Sequence, residues 1–452
     1  MTTRNDSVMH YSSFSLPLGV GLFLTSFFSA ADGTVRDEQH NAGRDSKPSL
    51  LSQVRTPEDD SVPALLKVNV ALKMEAFSLR NKKLRHGDKR ENELELEPLA
   101  RLRFSLLEGH PVYGVAEVEL KDKTKRETGK PGRNKTRLEL TQIYLGLDAD
   151  ALDTHFRLGR WLYRDEREWL LDENIDGVLA RWKSGRWRAD VLGGRIDYWQ
   201  RDLLDRTSRD AGKTTAMGAI VRRKLGSDWL AGAYALASEN THDAHYSQFH
   251  YGLRSHDERR EGLRHWAEIG LMSGNKSGNR HSGFAADVGG TYVFASRLRP
   301  RLTLGYAYAS KNYRQTGLQS NEATLGGNTK LNIYGATLAP ELTNLHVITA
   351  GIGVDITPDA SLDLIYHDYR QAQTADLEAH NGDLKSRYDN RSTTRLGSGI
   401  DLVWGVQVNK RLKTELIMGM FTPSKRFRSG ASDNAPGSAP AYSIGFEAEL
   451  RF

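Results

Sequence analysis

Arginine is the residue type whose spacing in this chain most suggests a task. Arg101 and Arg103 share one parity opposite Ala100, Leu102 and Phe104, and Arg186 and Arg188 oppose Trp187, Ala189 and Val191. Arg137, Arg157, Arg160, Arg181 and Arg195 stand in similar alternating stretches. In a strand, side chains two apart point the same way, so these residues would gather on one face of a sheet. A guanidinium keeps its charge at any relevant pH and can grip a carboxylate through two parallel hydrogen bonds. The chemistry implied is recognition of anions without bond making. The bland reading of the same residues is internal pairing, since 63 Lys and Arg face 57 Asp and Glu.

Covalent chemistry finds little support. Asp243, His245 and Ser247, or His250 and Ser255, could be imagined as catalytic groupings, but they lie in a polar tract without a Gly-x-Ser-x-Gly elbow. His245 and His250 are not spaced for one helix face, and His-Glu-x-x-His is absent, so no zinc site is expected. Asp165, Glu166, Glu168, Asp172 and Glu173 could hold calcium, yet Arg157, Arg160, Arg164 and Arg167 beside them favour internal pairing. With no cysteine there are no thiolate ligands, thiol nucleophiles or disulfides. The basic residues are dispersed and no nucleic-acid motif occurs. We expect neither an enzyme nor a cofactor.

What must position the arginines is a long series of strands. The chain ends Tyr442-Ser-Ile-Gly-Phe-Glu-Ala-Glu-Leu-Arg-Phe452, apolar and polar residues alternating up to a terminal aromatic. One face suits lipid and the other water. Leu66, Val68, Val70, Leu72 and Met74 begin the series, alternating with Lys67, Asn69, Ala71, Lys73 and Glu75. Similar stretches recur at 100–106, 112–120, 137–147, 155–161, 177–183, 187–198, 214–225, 228–237, 262–272, 284–294, 301–309, 330–338, 345–356, 361–369, 395–408, 412–421 and 441–452. That is about 18 strands, with 16 as the nearest alternative, and it predicts an all-β chain forming a single transmembrane antiparallel β-barrel over 63–452. The polar tracts at 84–92, 121–135, 239–261, 315–329, 371–393 and 424–440 read as its long loops. Trp187, Trp229 and Trp404 are candidates for interfacial anchors.

Ahead of the strands, residues 1–31 read as a signal peptide, with an apolar run from Phe14 ending in small residues at Ala30 and Ala31. Residues 32–62 read as a flexible periplasmic leader. A mean hydropathy of −0.57 does not oppose a barrel, because only alternate strand positions meet lipid.

The stretch Arg157-Leu-Gly-Arg160-Trp-Leu-Tyr-Arg164-Asp165-Glu166-Arg167-Glu168-Trp169, continuing to Asp172 and Gly177, is the most distinctive. Read with Arg137-Leu-Glu-Leu-Thr-Gln142-Ile-Tyr144, it resembles the alginate-export family of outer-membrane proteins. The resemblance implies a monomeric, 18-stranded barrel in the bacterial outer membrane. Such a barrel passes a polyuronate outward through an arginine-rich bore and is supplied by periplasmic export machinery. Carried over by motif, Arg160 and Arg137 would contact cargo, with Asp172 as acidic partner. Arg101, Arg103, Arg195 and Asp197 join them by position and parity, and Arg157 and Arg181 complete the expected cargo-contacting set as further inward-facing arginines. Trp161 departs from the family pattern, where a glutamine follows the arginine. An uptake porin for acidic oligosaccharides is the rival reading, since a cationic bore has no inherent direction.

Overall fold

The computed structural model describes residues 65–84, 90–205, 214–240, 246–276, 278–374, 394–424 and 439–452. The segments read as signal peptide and leader lie outside the described residues, as do Asp243 and His245. The chain forms β1 (Leu66–Arg80), β2 (Glu93–Leu106), β3 (Val112–Glu127), β4 (Arg133–Ala149), β5 (Thr154–Arg164) and β6 (Asp172–Ser184). It continues through β7 (Trp187–Ile196), β8 (Thr214–Lys224), β9 (Trp229–Asn240), β10 (Tyr246–Asp257), β11 (Gly262–Lys276), β12 (Asn279–Val293) and β13 (Arg301–Ala309). Two short strands follow, β14 (Glu322–Ala323) and β15 (Leu331–Asn332), and then β16 (Leu345–Thr357), β17 (Ala360–Gln371), β18 (Arg395–Gln407), β19 (Leu412–Pro423) and β20 (Ala441–Arg451).

All but β14 and β15 join one 18-stranded antiparallel sheet, closed where β1 pairs with β20 from Ala71↔Arg451 to Arg80↔Tyr442. Closure leaves no free edge and satisfies the backbone within lipid. Leu158, Val178, Val191, Leu253, Ile269, Leu304 and Ile352 are exposed on the outer face, while Glu75, Glu119, Asp190, Glu268 and Asp401 are buried within. That inversion of a soluble protein's pattern is what alternating strands produce when lipid surrounds the wall. Tight connections such as 185–186 and 358–359 share one end with the start of β1 and the close of β20, and the longest connections lie at the other. The first end is therefore periplasmic and the second extracellular. Trp187 and Trp229 are exposed at the periplasmic rim, as interfacial anchors should be.

The sequence reading reaches the right strand number through two opposite errors. Residues 246–257, read as loop because of their polarity, form β10, whose lumen face carries Gln248, His250, Arg254 and His256. Residues 330–338, read as a wall strand, contain only β15 and leave the wall.

Two segments fold into the lumen from the extracellular side. The first is the tip of the β5–β6 hairpin. Pairing of β4 with β5 stops at Ile143↔Arg160, and that of β6 with β7 stops at Ile175↔Ile196, yet β5 and β6 stay paired up to Arg164↔Asp172. Glycine permits the departure: Gly159 has φ +132°, and a Cβ there would sit 2.3 Å from the Ile143 carbonyl oxygen. Opposite it, a Cβ on Gly177 would sit 2.0 Å from the Gly193 carbonyl oxygen. The second segment is 310–344, which carries β14 and β15 along the inner wall. Leu325 O accepts hydrogen bonds from Thr291 and Thr303, Asn328 N donates to Ser361 Oγ, and Ala336 N donates to Asp401.

Candidate functional site: the lumen and its constriction

The two infolded segments meet in a buried aromatic cluster. Trp169 Nε1 donates to the Tyr334 hydroxyl at 2.9 Å, stacks on Tyr313 with ring centroids 6.4 Å apart, and meets Tyr234 of β9 edge-on. Glu168 accepts from Lys330 Nζ at 2.6 Å and from Ser320. Backbone bonds from Asn321 N to Glu168 O and from Asp172 N to Leu318 O complete the join. The segments thus form one body occupying part of the bore.

Its attachment to the wall is ionic. Glu166 is shared by Arg222 of β8 and Arg254 of β10, the latter at 2.7 Å, and Asp165 accepts from Arg254 at 3.0 Å. Arg167 reaches Asp287 of β12 at 3.2 Å with its guanidinium over the Trp266 ring, and Tyr163 donates to Asp190 of β7 at 2.9 Å. Burial pushes the Glu166 carboxyl up, but Arg222 and Arg254 outweigh it and hold the group well below the usual carboxylate range. Burial also acts on Asp165, which lies at about 6 despite Arg254, with Glu268 and Glu166 adding to the rise. Of the acidic residues weighed as calcium ligands, Asp165, Glu166, Glu168 and Asp172 are engaged with cations, and among the described residues no cluster of three or more His, Asp or Glu is arranged for a metal ion.

A second lumen surface lies on β1 to β4 and β20. Arg101 pairs with Glu119 at 2.6 Å and reaches Glu449 at 3.6 Å, Arg103 pairs with Glu117 at 3.3 Å, and Arg137 with Glu139 at 3.4 Å. A bulge aims Arg137 inward: the register shifts between Glu117↔Gln142 and Val118↔Leu140, leaving Thr141 extra and changing the parity of the strand beyond it. Arg181 of β6 pairs with Asp190 of β7 at 2.7 Å. In these pairs the cation is the more exposed partner. Arg101 and Arg137 keep 29% and 31% of their side-chain surface, against 6% and 3% for Glu119 and Glu139. Lys125 follows at 30% against 3% for Glu93, and Arg181 at 24% against 1% for Asp190. Short carboxylates lie against the wall, and the longer cationic side chains reach past them toward the bore.

Other expected site residues are placed differently. Arg160 has the outward parity of Leu158, is fully buried, and binds Asp176 through Nε at 2.6 Å and Nη2 at 2.8 Å. Its remaining donors meet the carbonyls of Leu140 and Trp199. It thereby ties residues 197–205 across the gap that the bent hairpin leaves in the wall. That strap bonds to the edge of β4 that β5 leaves unpaired, through Leu140 N to Arg201 O and Leu203 N to Leu138 O. The partner of Arg160 is therefore Asp176, which also accepts from Trp199 N, and Asp172 pairs with Arg164 instead. Arg195, in register with Asp176, likewise faces outward and is exposed, its guanidinium 5.0 Å from the centre of the Tyr198 ring. Asp197 lies on the strap, 3.6 Å from Arg201. The parity of Arg195 was legible from Val191, whereas the strap depends on a distant strand and was not.

Sequence reasoning passed over Lys121, Lys123 and Lys125, placed in a loop, although their alternation continues that of β3. It also passed over Arg222 and Arg254, isolated cations whose partners lie far away in sequence.

A closed barrel with a lipid-facing apolar girdle, a charged lumen and infolded segments defines a pore of the bacterial outer membrane. Solved barrels of similar fold include Pseudomonas aeruginosa OccK7 (OpdD), 12% identical with a TM-score of 0.54 over 86% of this chain and 98% of that one. Pseudomonas aeruginosa OccD3 (OpdP) is 13% identical with a TM-score of 0.53 over 86% and 91% of the two chains. At such identity the likeness is one of fold. The alginate export family profile matches residues 64–438, and the chain belongs to that family. No curated protein matches the sequence.

Proposed function

We propose that this pore conducts an anionic exopolysaccharide of the polyuronate type outward across the outer membrane, as a monomeric, non-enzymatic conduit supplied from the periplasm. The observation that carries this reading is the exposure asymmetry of the ion pairs on β2 to β4, β6 and β7, away from the buried cations that seat the infolded segments. Although charges nearly balance, a polymer in the bore meets guanidinium and ammonium groups first. A water-filled passage of that kind favours anions, and many weak sites let each uronate pass from one cation to the next. Membership of an export family favours outward passage over the uptake alternative.

The test is to replace Arg101, Arg103 and Arg137 together with glutamine and measure reversal potentials in a salt gradient. Anion preference should fall, most visibly at low ionic strength where screening is weak, and polymer secretion should fall with it. Unchanged selectivity would remove the lumen cations from the account.

A further inference from the structure

Arg157 differs from the paired arginines of β2, β4 and β6 described above. It points inward from β5 near the periplasmic end, and among the described residues no carboxylate forms an ion pair with it. Its Nε donates to His155 Nε2 at 3.2 Å, and its guanidinium lies over the Tyr144 ring, 5.0 Å from the centroid. His155 is held by Asp148 on its other nitrogen, so Nδ1 carries the proton and Nε2 is an acceptor for both Arg157 and the Tyr113 hydroxyl at 3.0 Å. Tyr113 stacks on His155 and meets Tyr144 edge-on. Its ring lies over Gly146, where a Cβ would come within 2.2 Å of it. Arg181 faces His155 in register from β6.

We propose that this cluster is an entry site for one uronate unit at the periplasmic mouth, resting on the reading of the pore as a polyuronate conduit. Arg157 would take the carboxylate, with Arg181 adding positive potential, while Tyr113 would offer its ring to the apolar face of the sugar. The arrangement suits such a ligand because the cation is oriented in advance by a neutral imidazole and an aromatic ring instead of by an acid that the ligand would have to displace. Pre-orientation of this kind lowers the cost of binding. The site differs from the paired cations above it, where an incoming carboxylate competes with a resident one.

The test is sided block of single-channel current by a uronate oligomer, with parent, Arg157→Gln and Tyr113→Leu proteins in planar bilayers. In the parent, block should occur from both sides. In each variant the association rate from the periplasmic side should fall about tenfold, the effect of losing one interaction of moderate strength, while association from the extracellular side stays near the parent value. Equal loss from both sides, or no loss in either variant, would overturn the entry site while leaving the conduit intact. Absence of block in the parent would overturn the conduit reading itself. The two substitutions act on different walls of the cluster, so a folding defect in one leaves the other to decide.

Discussion

A Glu166→Ala protein should show a single-channel conductance severalfold above that of its parent. Glu166 sits at the innermost turn of the bent β5–β6 hairpin and is shared by Arg222 and Arg254, both almost fully buried. Removing it leaves two buried guanidinium groups competing for Asp165, Asp190 and Glu268. Breaking a buried ionic contact by deleting one partner typically costs about 3–5 kcal/mol. The hairpin can avoid much of that cost by withdrawing, because its seat is ionic and its hinge at Gly159 and Gly177 is unencumbered by side chains. The second infolded segment would lose its partner at the same time, through Glu168 with Lys330 and Trp169 with Tyr334. The check is conductance in planar bilayers, with the heat-dependent gel shift of the barrel as control for folding. Unaltered conductance with a stable barrel would show that the hairpin does not limit the passage.

The second large effect concerns Arg160. An Arg160→Ala protein should lose about 3–5 kcal/mol of stability, the cost of stranding a buried carboxylate, while its ion selectivity stays near that of the parent. Asp176 would lose its only bidentate partner and the strap at 197–205 its clamp, but no charge facing the bore would change. Urea unfolding in detergent or lipid measures the first quantity and reversal potential the second. A selectivity loss without destabilisation would return Arg160 to the lumen.

How far the sequence disclosed this arrangement depends on the range of the forces involved. Alternation is local, so β1, β20 and most wall strands were legible, and so was the inward aim of Arg101, Arg103, Arg157 and Arg181. The failures are long-range. Residues 246–257 looked like loop because their polar residues outnumber the three lipid-facing ones, Phe249, Tyr251 and Leu253, and only the infolded hairpin explains why Arg254 is buried there. Residues 330–338 alternate like a strand, yet Tyr334 bonds inside the bore to Trp169 of the hairpin and to Asp287 on the lumen face of β12 instead of taking a place in the wall. Arg160 follows a motif that marks a real structural site. The residues that define it, Asp176, Leu140 and Trp199, converge only because the hairpin bends out of the wall.

The central claim is that on β2 to β4, β6 and β7 longer cationic side chains reach past their acidic partners and give the open part of the bore an anion-selective surface. Reversal potential of the refolded parent protein across a salt gradient, followed by addition of uronate oligomers, tests it most directly. The account predicts anion-selective current that the oligomers block in a salt-dependent manner. Cation-selective current, or current indifferent to the oligomers, would contradict it.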